Sequence, residues 1–213
     1  MEKRVEAKHL GRTFFFSIII ATILFFSIFG ITNTFAYMNY RSIEANNNAV
    51  LEDIISISSR LDEFECEDNL LSESSQDLDN SAFKISILEQ RFGKHDYRVL
   101  KIKKLYSELE YTHFRLVNKF KEECGANFIT ILFFYVNDED FEDDNERASF
   151  VIGAFKESHD VGVMIYSFDA ELDLPLIKEL REEYNVTYAP VIVMNEGEPF
   201  YPRNIDYLRG YAF

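Results

Sequence analysis

With 213 residues, 47% of them hydrophobic and 15% aromatic, against 8 glycines and 4 prolines, the chain has enough apolar material for one anchored globular domain plus an accessory segment. That composition excludes a disordered or collagen-like chain. Its 22 Lys and Arg against 37 Asp and Glu leave a net charge of -15, which repels phosphate backbones and excludes nucleic acid as a partner. Cys66 and Cys124 are its only cysteines, too few for a disulfide scaffold and wrongly spaced for a four-ligand zinc site.

From Thr13 to Tyr40 no residue is charged, and Phe14 to Ile31 is apolar except for Ser17, Thr22, Ser27 and Gly30. These 18 residues span about 27 Å as a helix, and uncharged flanking turns complete a roughly 30 Å hydrocarbon core. The spacing predicts one membrane crossing, over residues 13–37, with the lipid bilayer as its partner. A cleaved signal peptide is the competing reading, because Thr34-Phe35-Ala36 puts small residues near a cleavage position. The apolar run exceeds the roughly 7 to 15 residues of a signal h-region and no Ala-x-Ala closes it, so an uncleaved anchor is preferred. Lys3, Arg4, Lys8 and Arg12 precede the helix against Glu2 and Glu6, a local balance of +2 that predicts a cytoplasmic tail over residues 1–12. Removing that +2 from -15 leaves -17 for an acidic exoplasmic portion of a cell-membrane protein.

Between Arg41 and Cys124 there is no proline and one glycine, Gly93. Apolar residues recur there every seven positions, at Ile43, Val50, Ile57, Phe64, Leu71, Leu78, Ile85, Phe92 and Val99. A second seam begins with Ile54 and Leu61 and lapses at Asp68 and Ser75. Residues 38–125 therefore read as a helical stalk. Ser72-Glu73-Ser74-Ser75-Gln76-Asp77, rich in cap formers, predicts a break. A second turn is predicted at Phe92-Gly93-Lys94-His95, with Asp96 capping a third helix that carries Ile102, Leu105, Leu109, Leu116 and Phe120. Two readings of the seam stand open: a coiled coil that makes a homodimer, or a bundle within one chain.

After Gly125 the texture changes. Phe128 to Val136 is an unbroken β-branched and aromatic run, the mark of a central strand buried on both faces. Asn145 to Glu157 has helical spacing through Ala148, Val151, Ile152 and Phe155, and Val161 to Ser167 is a second apolar strand, giving a βαβ unit with a parallel pair. Leu174 to Tyr184 is amphipathic with Pro175 in its first turn, Val191 to Met194 is a third strand, and Asn195-Glu196-Gly197-Glu198 turns toward a fourth.

Ser167-Phe168-Asp169 at the end of the second strand, the helix to Tyr184-Asn185-Val186, and Thr187-Tyr188-Ala189-Pro190 leading into Val191-Ile192-Val193-Met194 resemble the second half of a thioredoxin domain. The resemblance covers Ala126 to about Phe200 and lies in the order of elements more than in identities. The layout of anchor, helical stalk and C-terminal domain is also similar to that of uncharacterised single-pass archaeal membrane proteins. The fold implied is α/β, a thioredoxin-like domain over residues 126–213 preceded by a transmembrane helix and an α-helical stalk or coiled coil. The resemblance makes Pro190 the cis-proline of the family and implies a peptide-binding loop of Tyr188, Ala189 and Pro190, where the Ala189 backbone would pair with an extended peptide. The alternative at Pro190 is a proline that merely starts a strand.

The departure from the family is at its redox motif. Where active thioredoxins carry Cys-x-x-Cys, this chain reads Asn137-Asp138-Glu139-Asp140-Phe141-Glu142-Asp143-Asp144, with six carboxylates in eight residues and no sulfur. Negative neighbours disfavour a thiolate, so the redox reaction does not carry over and no catalytic residue is assigned. Asp138, Asp140 and Glu142 alternate as oxygen ligands do in calcium loops. Asp143 and Ser149, however, stand where such a loop needs glycine and a bidentate Glu, and a solvated helix N-terminus is the preferred reading.

Cys66 and Cys124 leave three alternatives: a disulfide within the chain, a bridge between chains, or free thiols. Closing their 58-residue separation would add about 4 kcal/mol if the helices bring the two Cα atoms within about 7 Å, as a turn near Gly93 to His95 would. His9, His95, His113 and His159 are scattered and form no metal pair, and no glycine-rich phosphate loop or serine-nucleophile elbow is present. No metal and no cofactor is implied. Asn185-Val186-Thr187 is a glycosylation sequon. The expectation is a membrane-anchored, redox-inactive module that binds or scaffolds a peptide or protein partner outside the membrane. The alternative is a thiol-disulfide oxidoreductase using Cys124 with Cys66.

Overall fold

A computed structural model describes residues 2–62, 64–66 and 68–211. The side chains of Lys3, Arg4, Lys8 and Arg12, on which the orientation expectation rests, and that of Asp68 lie outside the described residues. The chain is mixed α/β and mostly helical, with one three-stranded sheet, and it divides into two units, residues 1–45 and 46–213.

The first unit lies within helix α1 (Glu2–Asp62), which near the N-terminus is long and apolar enough to cross a membrane. Phe15, Ile20, Phe25, Phe29 and Phe35 are all exposed along it. Its polar side chains bond back to the helix itself: Thr22, Thr32 and Thr34 donate to the carbonyls of Ile18, Ile28 and Gly30 at 2.8 to 2.9 Å, and the Asn33 amide donates to Phe29 O at 2.9 Å. Such self-bonding is what a hydrocarbon surround would require, because it would offer these groups no other partner.

In the second unit, the last turns of α1 are followed by α2 (Asp68–Phe92) and α3 (Tyr97–Cys124). The seven-residue seam is buried within this one chain at Val50, Ile57, Leu71, Leu78, Ile85 and Val99. Antiparallel contacts tie α1 to α2, with Arg60 paired to Glu73 at 3.2 Å and Ser81 donating to Asp53 at 3.2 Å. Lys119 of α3 donates to Leu61 O at 2.9 Å at the end of α1, where a cation suits the exposed carbonyls.

The break expected at Ser72 to Asp77 is not there; that stretch is helical, and α1 and α2 are separated instead at Phe64 to Cys66. The serines that suggest caps are contact residues. Ser74 is fully buried, its hydroxyl donating to Leu71 O, and Ser75 shares a hydrogen bond with His113 Nε2. Small side chains let α2 approach its neighbours, which is why the seam thins there. The second turn forms as predicted: α2 ends at Phe92, Gly93 takes φ +89, and the Asp96 carboxylate accepts from Arg98 N–H at 2.9 Å as the cap of α3.

Strand β1 (Phe128–Tyr135) lies between parallel β2 (Gly162–Asp169) and antiparallel β3 (Val191–Met194), and Phe200 bridges the outer edge of β3 at Ile192. Its alternating residues serve two layers. Ile129, Ile131 and Phe133 pack with Ala148, Ile152 and Phe155 of α4 (Glu142–Ser158) and Leu208 of α6 (Ile205–Arg209). On the opposite face Phe134 meets Phe168, and Tyr166 meets Phe114 of α3, with ring centroids 5.8 and 5.5 Å apart. Helix α5 (Pro175–Glu183) starts on its proline and joins β2 to β3.

Cys66 and Cys124 are joined in a disulfide, their Cα atoms 5.7 Å apart, which fastens the α1–α2 linker to the end of α3. Closing a separation of 58 residues is worth about 4 kcal/mol in chain entropy. The Cys66→Ser, Cys124→Ser double variant is expected to lose about that much stability in denaturant unfolding, with unchanged helix content by circular dichroism. A loss under about 1 kcal/mol would show that the unfolded chain gains little freedom when the link is removed.

Candidate functional site

Three sequence-derived features meet at one end of the sheet. Tyr135 of β1 lies opposite Asp169 of β2, and Phe134 lies opposite Val191, the residue after Pro190. The acidic loop, the end of β2 and the Tyr188–Pro190 loop therefore share the carboxyl end of β1, the usual location of sites in sheets with parallel strands. The disulfide lies toward the other end, where Cys124 is four residues before Phe128. Eight residues of β1 put about 26 Å between the two ends.

The acidic loop folds as a helix entrance. Asp138 accepts from Asp140 N–H at 2.9 Å and caps a 3-10 turn, Glu139–Phe141, and Glu142, Asp143 and Asp144 fill the first turn of α4. There the helix dipole favours them. Asp138, Asp140, Glu142 and Asp143 are exposed, and Glu142 faces Lys94 at 3.7 Å. Among the described residues no three His, Cys, Asp or Glu side chains converge as a metal site would need.

The Ala189–Pro190 bond is cis. Tyr188 is 56% exposed, Ala189 half-buried and Pro190 buried. Outside the strand ladders, neither Tyr188 nor Ala189 makes a backbone hydrogen bond among the described residues. This loop lines neither of two adjoining clefts at the same sheet end. One, of about 530 Å³, lies between Lys94 and His95 of the α2–α3 turn and Asp138, Glu139, Glu142 and Asn145. The other, of about 510 Å³, lies among Tyr97, Leu100, Lys101, Lys104 and Leu172. His95 and Asn137 border both.

Sequence reasoning misses a polar cluster behind these clefts. Lys103 of α3 is 5% exposed and pairs with Asp169 at 3.1 Å and Glu89 at 3.2 Å, while Asn137 also donates to Asp169. Burial disfavours the Lys103 ammonium, but the Tyr135 hydroxyl and the Asp169 and Glu89 carboxylates outweigh it and hold its pKa above the ordinary lysine value. Burial pushes the Tyr135 phenol up to about 12 against the pull of Lys103. At neutral pH Lys103 stays an ammonium and Tyr135 a phenol, neither in its deprotonated, nucleophilic form, so the cluster suits holding. The seven-residue spacing of Lys103, Glu110 and Val117, each following an apolar residue of the α3 stripe (Ile102, Leu109, Leu116), is the one sequence signal that α3 is buried on two sides.

About two and three turns further along α3, Glu110 and His113 are also buried. Glu110 Oε1 accepts from Ser167 N–H at 2.7 Å, and burial raises its pKa well above 4.5 in spite of that bond and the Tyr106 hydroxyl. His113 bonds to Tyr166 Oη at 2.9 Å through Nδ1 and to Ser75 through Nε2, a set that a neutral imidazole satisfies. Burial holds its pKa down to about 4.

The two groups bend stability in opposite directions. Below pH 6.5 the unfolded chain takes up a proton that folded His113 refuses, so its contribution is lost as pH falls toward about 4. Above pH 4.5 folded Glu110 keeps a proton that the unfolded chain releases, so its contribution is lost as pH rises. In thermal unfolding of the full chain in detergent, Glu110→Gln is expected to raise Tm at pH 8 and leave it unchanged near pH 4. His113→Gln is expected to remove an acid-side loss of up to about 3 kcal/mol. Parallel pH profiles for wild type and both variants would show that neither group titrates with unfolding. Compared with protein-family models, with curated proteins and with solved structures, the chain finds no match.

Proposed function

We propose that the chain is a single-pass membrane protein with a cytoplasmic N-terminus, whose C-terminal part is a redox-inactive, thioredoxin-like module that binds an extended peptide or protein partner outside the membrane. Support for the anchor comes from the apolar N-terminal helix, and for the orientation from the +2 balance ahead of it. The thioredoxin-like reading is supported by the order β2-β1-β3 with the Phe200 bridge beyond it, and by a helix between the parallel strands. The acidic turn at the start of α4, and cysteines joined to each other outside this turn, support the absence of redox chemistry at this end.

The observation that carries peptide binding is the Tyr188–Ala189 backbone, without a backbone partner among the described residues outside the strand ladders and flanked by an exposed tyrosine ring. Such a backbone adds a strand, and a tyrosine beside it is a common anchor. Peptides selected on the purified full chain are expected to bind Tyr188→Ala at least about tenfold more weakly, with Tm unchanged. Selected peptides that bind the variant equally well would place recognition elsewhere.

The alternative, a thiol-disulfide oxidoreductase using Cys124 with Cys66, draws on one observation: the two cysteines pair, and Cys66 is exposed. Reduced protein would then be alkylated rapidly at neutral pH, and Cys124→Ser would abolish reduction of a test disulfide. Slow alkylation and no such activity in the wild type are the results expected from the binding-module reading.

A further inference from the structure

The turn after α5 carries the sequence's single Asn-x-Ser/Thr triplet, Asn185-Val186-Thr187. Its geometry is fixed from both sides. Asn185 N–H donates to Glu182 O at 3.4 Å and Val186 N–H to Arg181 O at 2.8 Å, while Arg181 Nε donates back to Val186 O at 3.2 Å. Val186 is 3% exposed and faces the core, and the residues on either side of it are exposed. Neither the Asn185 amide nor the Thr187 hydroxyl has a partner among the described residues.

The turn by itself explains the asparagine, because φ is +52 there and asparagine tolerates the left-handed region that ends a helix. It does not explain a hydroxyl two residues later, exposed and without a partner among the described residues. A group attached to Asn185 Nδ2 would displace no contact, so a modification made before folding is carried into the folded protein without cost in packing.

We propose that Asn185 is an N-glycosylation site, with Thr187 supplying the hydroxyl by which a transferase recognises it. The donor class is a polyprenyl-diphosphate-linked oligosaccharide. Asn185 Nδ2 bonds to the sugar C1 as the C1–O bond to the diphosphate breaks; Nδ2 gives up one proton, polyprenyl diphosphate leaves, and no electrons are exchanged with an oxidant or reductant. The assignment rests on the exoplasmic placement of this part of the chain proposed above.

The test uses the full chain in sealed membrane vesicles that glycosylate a reference acceptor, with added protease reporting orientation. The expected result is a protease-protected C-terminal part and one discrete mobility step. Peptide N-glycosidase should remove that step, Asn185→Gln and Thr187→Ala should abolish it, and Thr187→Ser should keep it. Thr187→Ala makes no demand on the turn and keeps the test independent of any strain at position 185. A protected C-terminal part without the step, or a step that persists in Asn185→Gln, overturns the site and leaves the orientation standing. A protease-accessible C-terminal part overturns the orientation and the site with it.

Discussion

A lysine ammonium inside a protein is tolerated only when its charge is answered, and Lys103 is answered from two directions. Glu89 comes from α2, Asp169 from the last residue of β2, and Asn137, just beyond β1, holds Asp169 in turn. Removing one member of such a buried pair typically costs about 3–5 kcal/mol, because the remaining charge stays desolvated. The pairing therefore fixes more than a contact. It sets how α3 lies between the helices before it and the sheet after it, and the buried face of α3, from Val99 to Phe120, packs on both sides accordingly.

Much of the architecture is legible in local chemistry. The unbroken apolar run of β1, the glycine and aspartate around the α2–α3 turn, Pro175 at the start of α5 and the four residues of β3 each carry their own instruction. The α1–α2 junction does not, because Ser74 and Ser75 look like caps to a reader who has only neighbours in sequence. Their actual roles, burial against a packed helix and a bond to His113, depend on residues as many as 38 positions away. The same limit hides the Lys103 cluster: Lys103 and Asp169 are 66 residues apart, and nothing near either announces the other. Of the candidate site, the loops could be named from sequence, but the charged floor behind them required the fold.

The proposed binding end gains a physical rationale from the layers on either side of it. The acidic entrance to α4 is favoured by its own helix dipole and by Lys94, so the negative charge needs no bound ion to be stable. The neighbouring Tyr188–Pro190 loop lacks charge and offers backbone and an aromatic face instead. Two surfaces of unlike character thus stand at one sheet end, one repelling anions and the other open to hydrogen bonding. That arrangement would discriminate among extended partners by their charge as well as by their shape.

The link between Cys66 and Cys124 also has a mechanical meaning. Tension entering along α1 and leaving through β1 has a covalent route from residue 66 to residue 124 that skips everything in between. The backbone of the α2–α3 hairpin is a side loop on this covalent route. A pull applied along α1 would reach the sheet without stretching the backbone of the hairpin, until the sulfur bridge is reduced and that backbone becomes part of the loaded chain.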